Sequence, residues 1–440
     1  MRKFWIVLLS LALIMAFTFP AAAADAKFSG SFWVQGTYDN NRKLADPTYG
    51  SVSSIYQRAR IGTTFQVAEG LSFTTRFDAL EKTWGAAAGY SATPDVTSEN
   101  IKFENAFVTF KTVVGQFDIG YQTQSRFGTA FGDSGEIDNG GRIKYTLATG
   151  PMVFLALLDK VEGQKGSVAN QYGTPGYASE HDYEKYSVAG MYNFTGGSAG
   201  LLIQYLLGSA TADNTAVGVG YKTKAYAFVP YMKGKFGPVY VEAELGYIMG
   251  KTKAFMNEGT TAATQDVDAD AWRGYIMANV DLAPAYVGAQ AFYASGDDPT
   301  TADKNEGVLT TGSDYSPCLI LMNYDLGKWY GAVGNYVTVG NNRNNILGGQ
   351  LFAGIKPIPK LDVKFSVTAA KLNENLTTTE LVSKNLGYEA DLTASYKIYD
   401  NLEYMIGFGY LWAGDAFKGT VSTNTVENDY IVTHKLSLVF

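Results

Sequence analysis

From Lys27 to Phe440 the sequence repeats one unit: a run of about ten residues in which apolar and polar side chains alternate, a very short turn, a second alternating run and a long polar loop. A period of two puts successive side chains on opposite faces of extended backbone, so each run has one apolar and one polar face. The division is clear at residues 71–79, where Leu71, Phe73 and Phe77 alternate with Ser72, Thr74, Arg76 and Asp78. At residues 116–124, Phe117, Ile119 and Tyr121 alternate with Gln116, Asp118 and Gln122. Late in the chain Leu361, Val363, Phe365 and Val367 oppose Asp362, Lys364, Ser366 and Thr368. Residues 389–398 repeat the pattern, with Ala390, Leu392, Ala394, Tyr396 and Ile398 against Glu389, Asp391, Thr393, Ser395 and Lys397. Alternation does not say which face points outward, and a soluble barrel would turn the apolar face in. Size decides between them: so many strands in one closed sheet enclose a lumen wider than side chains fill, so the polar face lines water and the apolar face meets lipid.

The punctuation alternates as well, which an ordinary β-sandwich has no reason to do. Short turns fall at residues 68–70, 114–115, 149–151, 195–199, 236–238, 283–284, 357–359 and 400–401. Long segments rich in Gly, Asn, Asp and Thr fall at 39–54, 83–100, 126–140, 162–182, 251–268, 296–345, 373–386 and 414–428. Short turns are expected on the periplasmic rim and long loops outside. The expected fold is therefore all-β: a transmembrane antiparallel up-and-down β-barrel of about eighteen strands with both termini periplasmic, about sixteen or twenty being the alternatives. Residues 315–339, including 319–322 and 329–339, are apolar enough for the extra hairpin of the larger count. We read them as part of a long loop that folds back onto the barrel mouth or into the lumen.

The N terminus sets the compartment. Arg2 and Lys3 precede an apolar run over residues 4–19, followed by Pro20 and four alanines at 21–24. This is the pattern of a secretory signal peptide, too short for a membrane span and lacking stop-transfer charges. Cleavage is expected after Ala24, leaving residues 25–440 as one barrel domain in the outer membrane of a Gram-negative cell. No later apolar run approaches the roughly 20 residues of a helical span, while 48 Gly, 30 Tyr and 25 Phe against 12 Pro suit half-buried strands. Removing Arg2 and Lys3 from the 35 basic residues leaves 33 against 42 acidic ones, a net charge of −9. That sign disfavours nucleic acid as a partner. Cys318 is the only cysteine, so no intrachain disulfide, thiolate cluster or CxxCH haem site forms, and two histidines, His181 and His434, leave little imidazole chemistry.

The last run ends on Phe440, with Leu438, Leu436, Val432 and Tyr430 on the same face; His434 departs from the pattern. It resembles the terminal strand of outer-membrane porins, which the barrel-assembly machinery reads through the final aromatic residue; Phe440, Leu438 and Leu436 are the candidates for that signal. The hairpin array, with residues 319–326 (LILMNYDL), 355–361 (IKPIPKL) and 396–405 (YKIYDNLEYM), resembles porin-like outer-membrane proteins of sulfate- and metal-reducing bacteria, distant relatives of alginate-export barrels. The resemblance implies a barrel of the same size and contact with outer-membrane lipid and lipopolysaccharide. It leaves open a homotrimer, as in general porins, or a monomer, as in alginate-export barrels, and no alginate-binding residue carries over.

Alternation places Arg58 and Arg60 on one strand, Arg76 on the next and Arg142 with Lys144 on another nearby, a cationic arc on the lumen wall. The third long loop, residues 126–141, carries Asp133, Glu136 and Asp138 and lies where general porins fold a loop into the channel. An acidic loop against a basic wall gives a transverse field that orients dipolar solutes. Each of these residues also reads as an ordinary charge on a solvated wall or loop. Glu242, Glu244, Glu389, Asp391 and Glu403 face inward too and offset the arc, so ion selectivity does not follow from net charge. Trp33, Tyr121, Tyr247, Tyr404, Tyr410 and Trp412 are candidates for the interfacial girdles.

Catalysis finds little support. His181 and Asp182 are adjacent in a long loop, where neighbouring side chains point apart, and no HExxH or GxSxG motif occurs. Asp266, Asp268 and Asp270, or Asp297 and Asp298, offer oxygen ligands for calcium but lack the EF-hand glycine and terminal glutamate; we read them as solvating acids and expect no cofactor or metal. The expected function is a porin that passes small polar or ionic solutes passively. The alternatives are a substrate-specific or polysaccharide-export channel and a barrel sleeve around an electron carrier.

Overall fold

The structure, a computed structural model, describes residues 25–44, 50–85, 101–124, 127–129, 131–132, 139–162, 183–210, 220–255, 265–312, 315–323, 333–339 and 343–440. The signal-peptide segment, residues 1–24, lies outside them. Extended runs with branched and aromatic side chains on one face form the strands β1 (Asp25–Asp39), β2 (Val52–Ala68), β3 (Leu71–Thr83), β4 (Ile101–Thr112), β5 (Gly115–Thr123) and β6 (Asn139–Thr149). They continue as β7 (Met152–Glu162), β8 (Tyr183–Phe194), β9 (Gly197–Ala210), β10 (Tyr221–Phe236), β11 (Val239–Phe255), β12 (Val267–Leu282) and β13 (Ala285–Ala294). After a two-residue strand, β14 (Lys304–Asn305), come β15 (Ile346–Ile358), β16 (Leu361–Lys371), β17 (Asn385–Tyr399), β18 (Leu402–Ala413) and β19 (Asp429–Val439).

Each long strand pairs antiparallel with its neighbour in the chain, β13 pairing with β15, and β19 returns to β1 from Ser31↔Val439 to Asp39↔Ile431. The sheet thus closes with eighteen barrel strands and leaves no edge in the membrane. The short β14 pairs parallel with β12 at Asp268 and Ala269, extending the wall beyond the last β12–β13 pair, Arg273↔Ala294. Residues 315–323 and 333–339 add no hairpin, their only strand-like feature being an isolated bridge between Val333 and Val339.

Eight connections are two-residue turns, at 69–70, 113–114, 150–151, 195–196, 237–238, 283–284, 359–360 and 400–401. Gly150 and Gly237 have open space where a Cβ would stand, so it is their positive φ, 55° and 62°, that calls for glycine. The remaining nine junctions between successive barrel strands join strand ends on the other rim. The ninth, residues 211–220 between β9 and β10, escapes the sequence reading because Val217 and Val219 extend the strand-like alternation.

The outer surface is apolar: Leu351 is 69% exposed, Val188 57%, Leu245 56% and Phe365 50%. The lumen is not simply polar and wet. Strands β9 to β12 point Leu206, Ala225, Ala227, Ile248, Ala269 and Ala271 inward, and Val308 and Leu309 of the loop after β13 pack on them. A second inward cluster joins Phe131, Tyr275, Phe292, Tyr315 and Leu321. Wall side chains alone do not span an eighteen-strand barrel, so loop residues supply this core.

Candidate functional site

Two loops are tied inside the lumen, each by one buried carboxylate. Glu244 on β11 accepts from the backbone N–H of Thr129 (2.8 Å) and its Oγ1 (2.9 Å), so the loop after β5 crosses the lumen to a strand a third of the way round the barrel. Arg273 on β12 donates Nη2 to the same carboxylate at 2.9 Å and Nη1 to the Thr310 carbonyl at 2.9 Å, joining a second loop to the first. Phe131 stacks on Tyr275 with centroids 5.2 Å apart and meets Tyr315 edge-on at 5.0 Å.

The second anchor is Glu389 on β17. Its Oε1 accepts from the amides of Leu319 (2.9 Å) and Ile320 (2.6 Å), and its Oε2 from that of Leu321 (2.7 Å). Gln350 on β15 adds a hydrogen bond to the Pro317 carbonyl at 2.5 Å. The segment 315–323 is therefore a lumen loop, as its sequence suggests. Cys318, Glu389 and Asp391 bring ligand-type atoms within 4.8 Å of one another, but both Glu389 oxygens already accept amide protons, which makes the group a loop anchor. Burial pushes the Cys318 thiol and the Tyr315 hydroxyl well above their usual ranges.

Register places all five cations of the arc, Arg58, Arg60, Arg76, Arg142 and Lys144, on the lumen face. Carboxylates on adjacent strands meet four of them, forming a ladder of ion pairs. Arg60 holds Asp78 bidentately, with both contacts at 2.6 Å, and Arg142 holds Asp159 at 2.6 and 2.8 Å. Lys144 reaches Asp118 at 2.7 Å. Arg58 lies 3.9 Å from Asp78 and over the Trp33 ring, and Arg76 donates to Thr123 Oγ1 at 3.4 Å. Arg60 and Arg142 are each 8% exposed, so much of their charge is spent inside the wall. Asp78, Asp118 and Asp159 are the residues that sequence reasoning missed as partners. The signal was present, since Asp78 and Asp118 sit on the polar faces already identified, but pairing needs cross-strand register. The acidic residues proposed for the facing loop, Asp133, Glu136 and Asp138, lie outside the described residues, as do His181 and Asp182.

Glu242, Glu244, Glu389, Asp391 and Glu403 face inward by register, as the alternation places them. Trp33 is a correction: it points into the lumen, 8% exposed, against Tyr56 and under Lys435, because it falls on the inward register of β1. Tyr121, Tyr404, Tyr410 and Trp412 face outward, and Tyr247 stacks on Trp272 at 3.9 Å on that same face. In the acidic loops Asp266 and Asp268 each lie 3.0 Å from Lys251, which with the Phe255 amide holds the Asp266 carboxyl below its usual range. Asp298 caps the backbone and hydroxyl of Thr300, and Asp297 accepts from the Glu306 amide. At the seam Phe440 and Gly30 exchange backbone hydrogen bonds of 3.0 and 2.7 Å, while Leu438 and Leu436 pair with Phe32 and Val34 on the outer face.

A closed eighteen-strand antiparallel sheet, apolar outside, with an ion-pair ladder and anchored loops inside, has the architecture of the outer-membrane channel barrels. Among solved structures the chain is similar to OccK2 (OpdF) of Pseudomonas aeruginosa, with a TM-score of 0.52 and 11% identity over 94% of this chain and 98% of that one. The outer-membrane protein OpdK of Pseudomonas aeruginosa gives 0.50 at 10% identity over 94% and 99%. OccK2 in complex with glucuronate gives 0.51 at 12% identity over 94% and 98%. No protein-family model and no curated protein matches the sequence.

Proposed function

We propose that the protein is an outer-membrane porin through which small polar and ionic solutes diffuse passively, its lumen narrowed by the loops anchored on Glu244 and Glu389. The observation that carries this reading is the pairing of an apolar exterior with a lumen that keeps about 610 Å³ of water-accessible space between a charged wall and those loops. Residues 1–24 act as the cleaved export signal and Phe440 as the assembly signal. Lipopolysaccharide contact and a homotrimer belong to the same reading. Solute enters from the long-loop side and meets Arg58, Arg76 and Lys144 on the way, while the Arg60 and Arg142 pairs chiefly stiffen the wall.

A substrate-selective channel is the second reading, favoured by the degree to which fixed loops fill the lumen. That filling counts against a sleeve around a protein electron carrier, which would need the same space. Planar-bilayer recording tests the proposal: detergent-extracted protein is expected to give discrete current steps in potassium chloride. Arg58→Ala with Arg76→Ala is expected to move the reversal potential in a salt gradient toward cation preference. Folded protein that inserts without conducting would refute the channel.

A further inference from the structure

The 610 Å³ lumen chamber is chemically two-sided. One side carries Arg142, Lys144, Asp159 and Lys185. The other is formed by Val153, Leu155 and Leu157 of β7, Met191 of β8, Leu202 of β9 and Val229 of β10. All six point inward by register, and five of them are only half-buried, so their methyl groups border open space. A solvated lumen has no need of such a wall, since apolar groups left facing water forgo the gain of burial. Phe127 and Leu309, from the two inward-folded loops, complete the apolar lining.

The charges decide the sign of the guest. Arg142, Lys144 and Arg273 are each met by a carboxylate, Asp159, Asp118 and Glu244 respectively. Lys185 lies opposite Asp159 across the β7–β8 pair, but both Asp159 oxygens are held by Arg142, and Lys185 forms no ion pair among the described residues. Among the described residues the chamber therefore offers one uncompensated cation, Lys185, beside an apolar wall. Its volume falls in the roughly 300–1,000 Å³ range of small-molecule sites.

Building on the channel reading above, we infer that the chamber binds small amphipathic organic anions, the carboxylate at Lys185 and the hydrocarbon body on the β7–β10 wall. The preferred solutes are then monocarboxylates with a short aliphatic or aromatic body, ahead of sugars and polyhydroxylated acids.

Current block by acetate, propionate, butyrate, valerate and benzoate, with gluconate as a charged solute lacking an apolar body, tests this in potassium chloride. The half-blocking concentration is expected to fall by up to about fourfold per added methylene, the factor equivalent to about 0.8 kcal/mol for each buried CH₂. Gluconate is expected to block no better than acetate. Leu155→Ser with Leu157→Ser should flatten the series, whereas Lys185→Gln should weaken every acid by a similar factor and keep the methylene increment. Heat-shifted mobility on SDS gels identifies variants that fold. A conducting channel blocked equally by all the acids, or best by gluconate, would overturn the chamber assignment. A protein that never conducts refutes the channel instead; calorimetric titration of detergent-solubilised protein with the same acids then decides the chamber, chain-length-independent binding or none counting against it.

Discussion

A wholly buried carboxylate needs donors, and Glu389 finds three in the consecutive amides of Leu319, Ile320 and Leu321. Hydrogen bonds to a charged acceptor contribute about 1.5–3 kcal/mol each, so Glu389→Ala is expected to free the 315–323 loop at a cost of several such bonds. Cys318 reports on the loop because burial shields the sulfur and raises the thiol pKa, suppressing the reactive thiolate. The folded wild type is expected to resist maleimide, Glu389→Ala to label readily and to conduct more, and Glu389→Gln, which keeps one acceptor oxygen, to fall between. A Cys318 that stays shielded in the alanine variant would mean that side-chain packing holds the loop without the carboxylate. Residue identity alone does not announce this role: Glu389 reads in sequence as one more polar residue on an alternating strand. Its three donors lie about seventy positions away.

At the scale of elements, the β1–β19 seam closes the barrel, and two glycines of β1 make room in it, Gly36 beneath the His434 ring and Gly30 beside Phe440. A Cβ at Gly30 would stand 2.5 Å from the Arg60 carbonyl oxygen and 2.6 Å from Cζ of Phe440. Gly30→Val is expected to splay the seam, lowering the yield of heat-modifiable barrel on SDS gels. Phe440→Leu, which keeps the backbone exchange with Gly30, should fold once refolded in detergent. Equal yields for Gly30→Val and wild type would show that the ring swings aside freely. Strand positions and the short turns were legible because period-two alternation and Gly-containing turns are local signals. Strand β7 lacks this signal for a physical reason: with Val153, Leu155 and Leu157 facing in and Phe154 and Leu158 facing out, it is apolar on both faces. A lumen wall covered by loops or bordering an apolar-lined chamber does not alternate.

For the whole molecule, the exposed belt that includes Phe73, Val108, Ile119, Phe154, Leu351 and Phe408 is the surface that demands lipid. Extracted protein is expected to remain monodisperse in detergent and to aggregate on detergent removal, checked by light scattering. A freely soluble, monodisperse barrel in plain buffer would mean that the apolar side is not the outer one. What the sequence determined by itself was the alternating polarity of the strands, a count of about eighteen, the gathering of the short turns on one rim, the inward cations and the reading of 315–323 as loop, because each follows from local periodicity and from the width of so large a ring. Only the tertiary structure decided that Asp78, Asp118 and Asp159 neutralise much of the basic arc, that Trp33 points inward, and that Glu244 and Glu389 fasten the loops. Those facts depend on register and on contacts between residues far apart in the chain, and shifting a strand by one residue, which no local signal forbids, would exchange every one of its lumen side chains for a lipid-facing one.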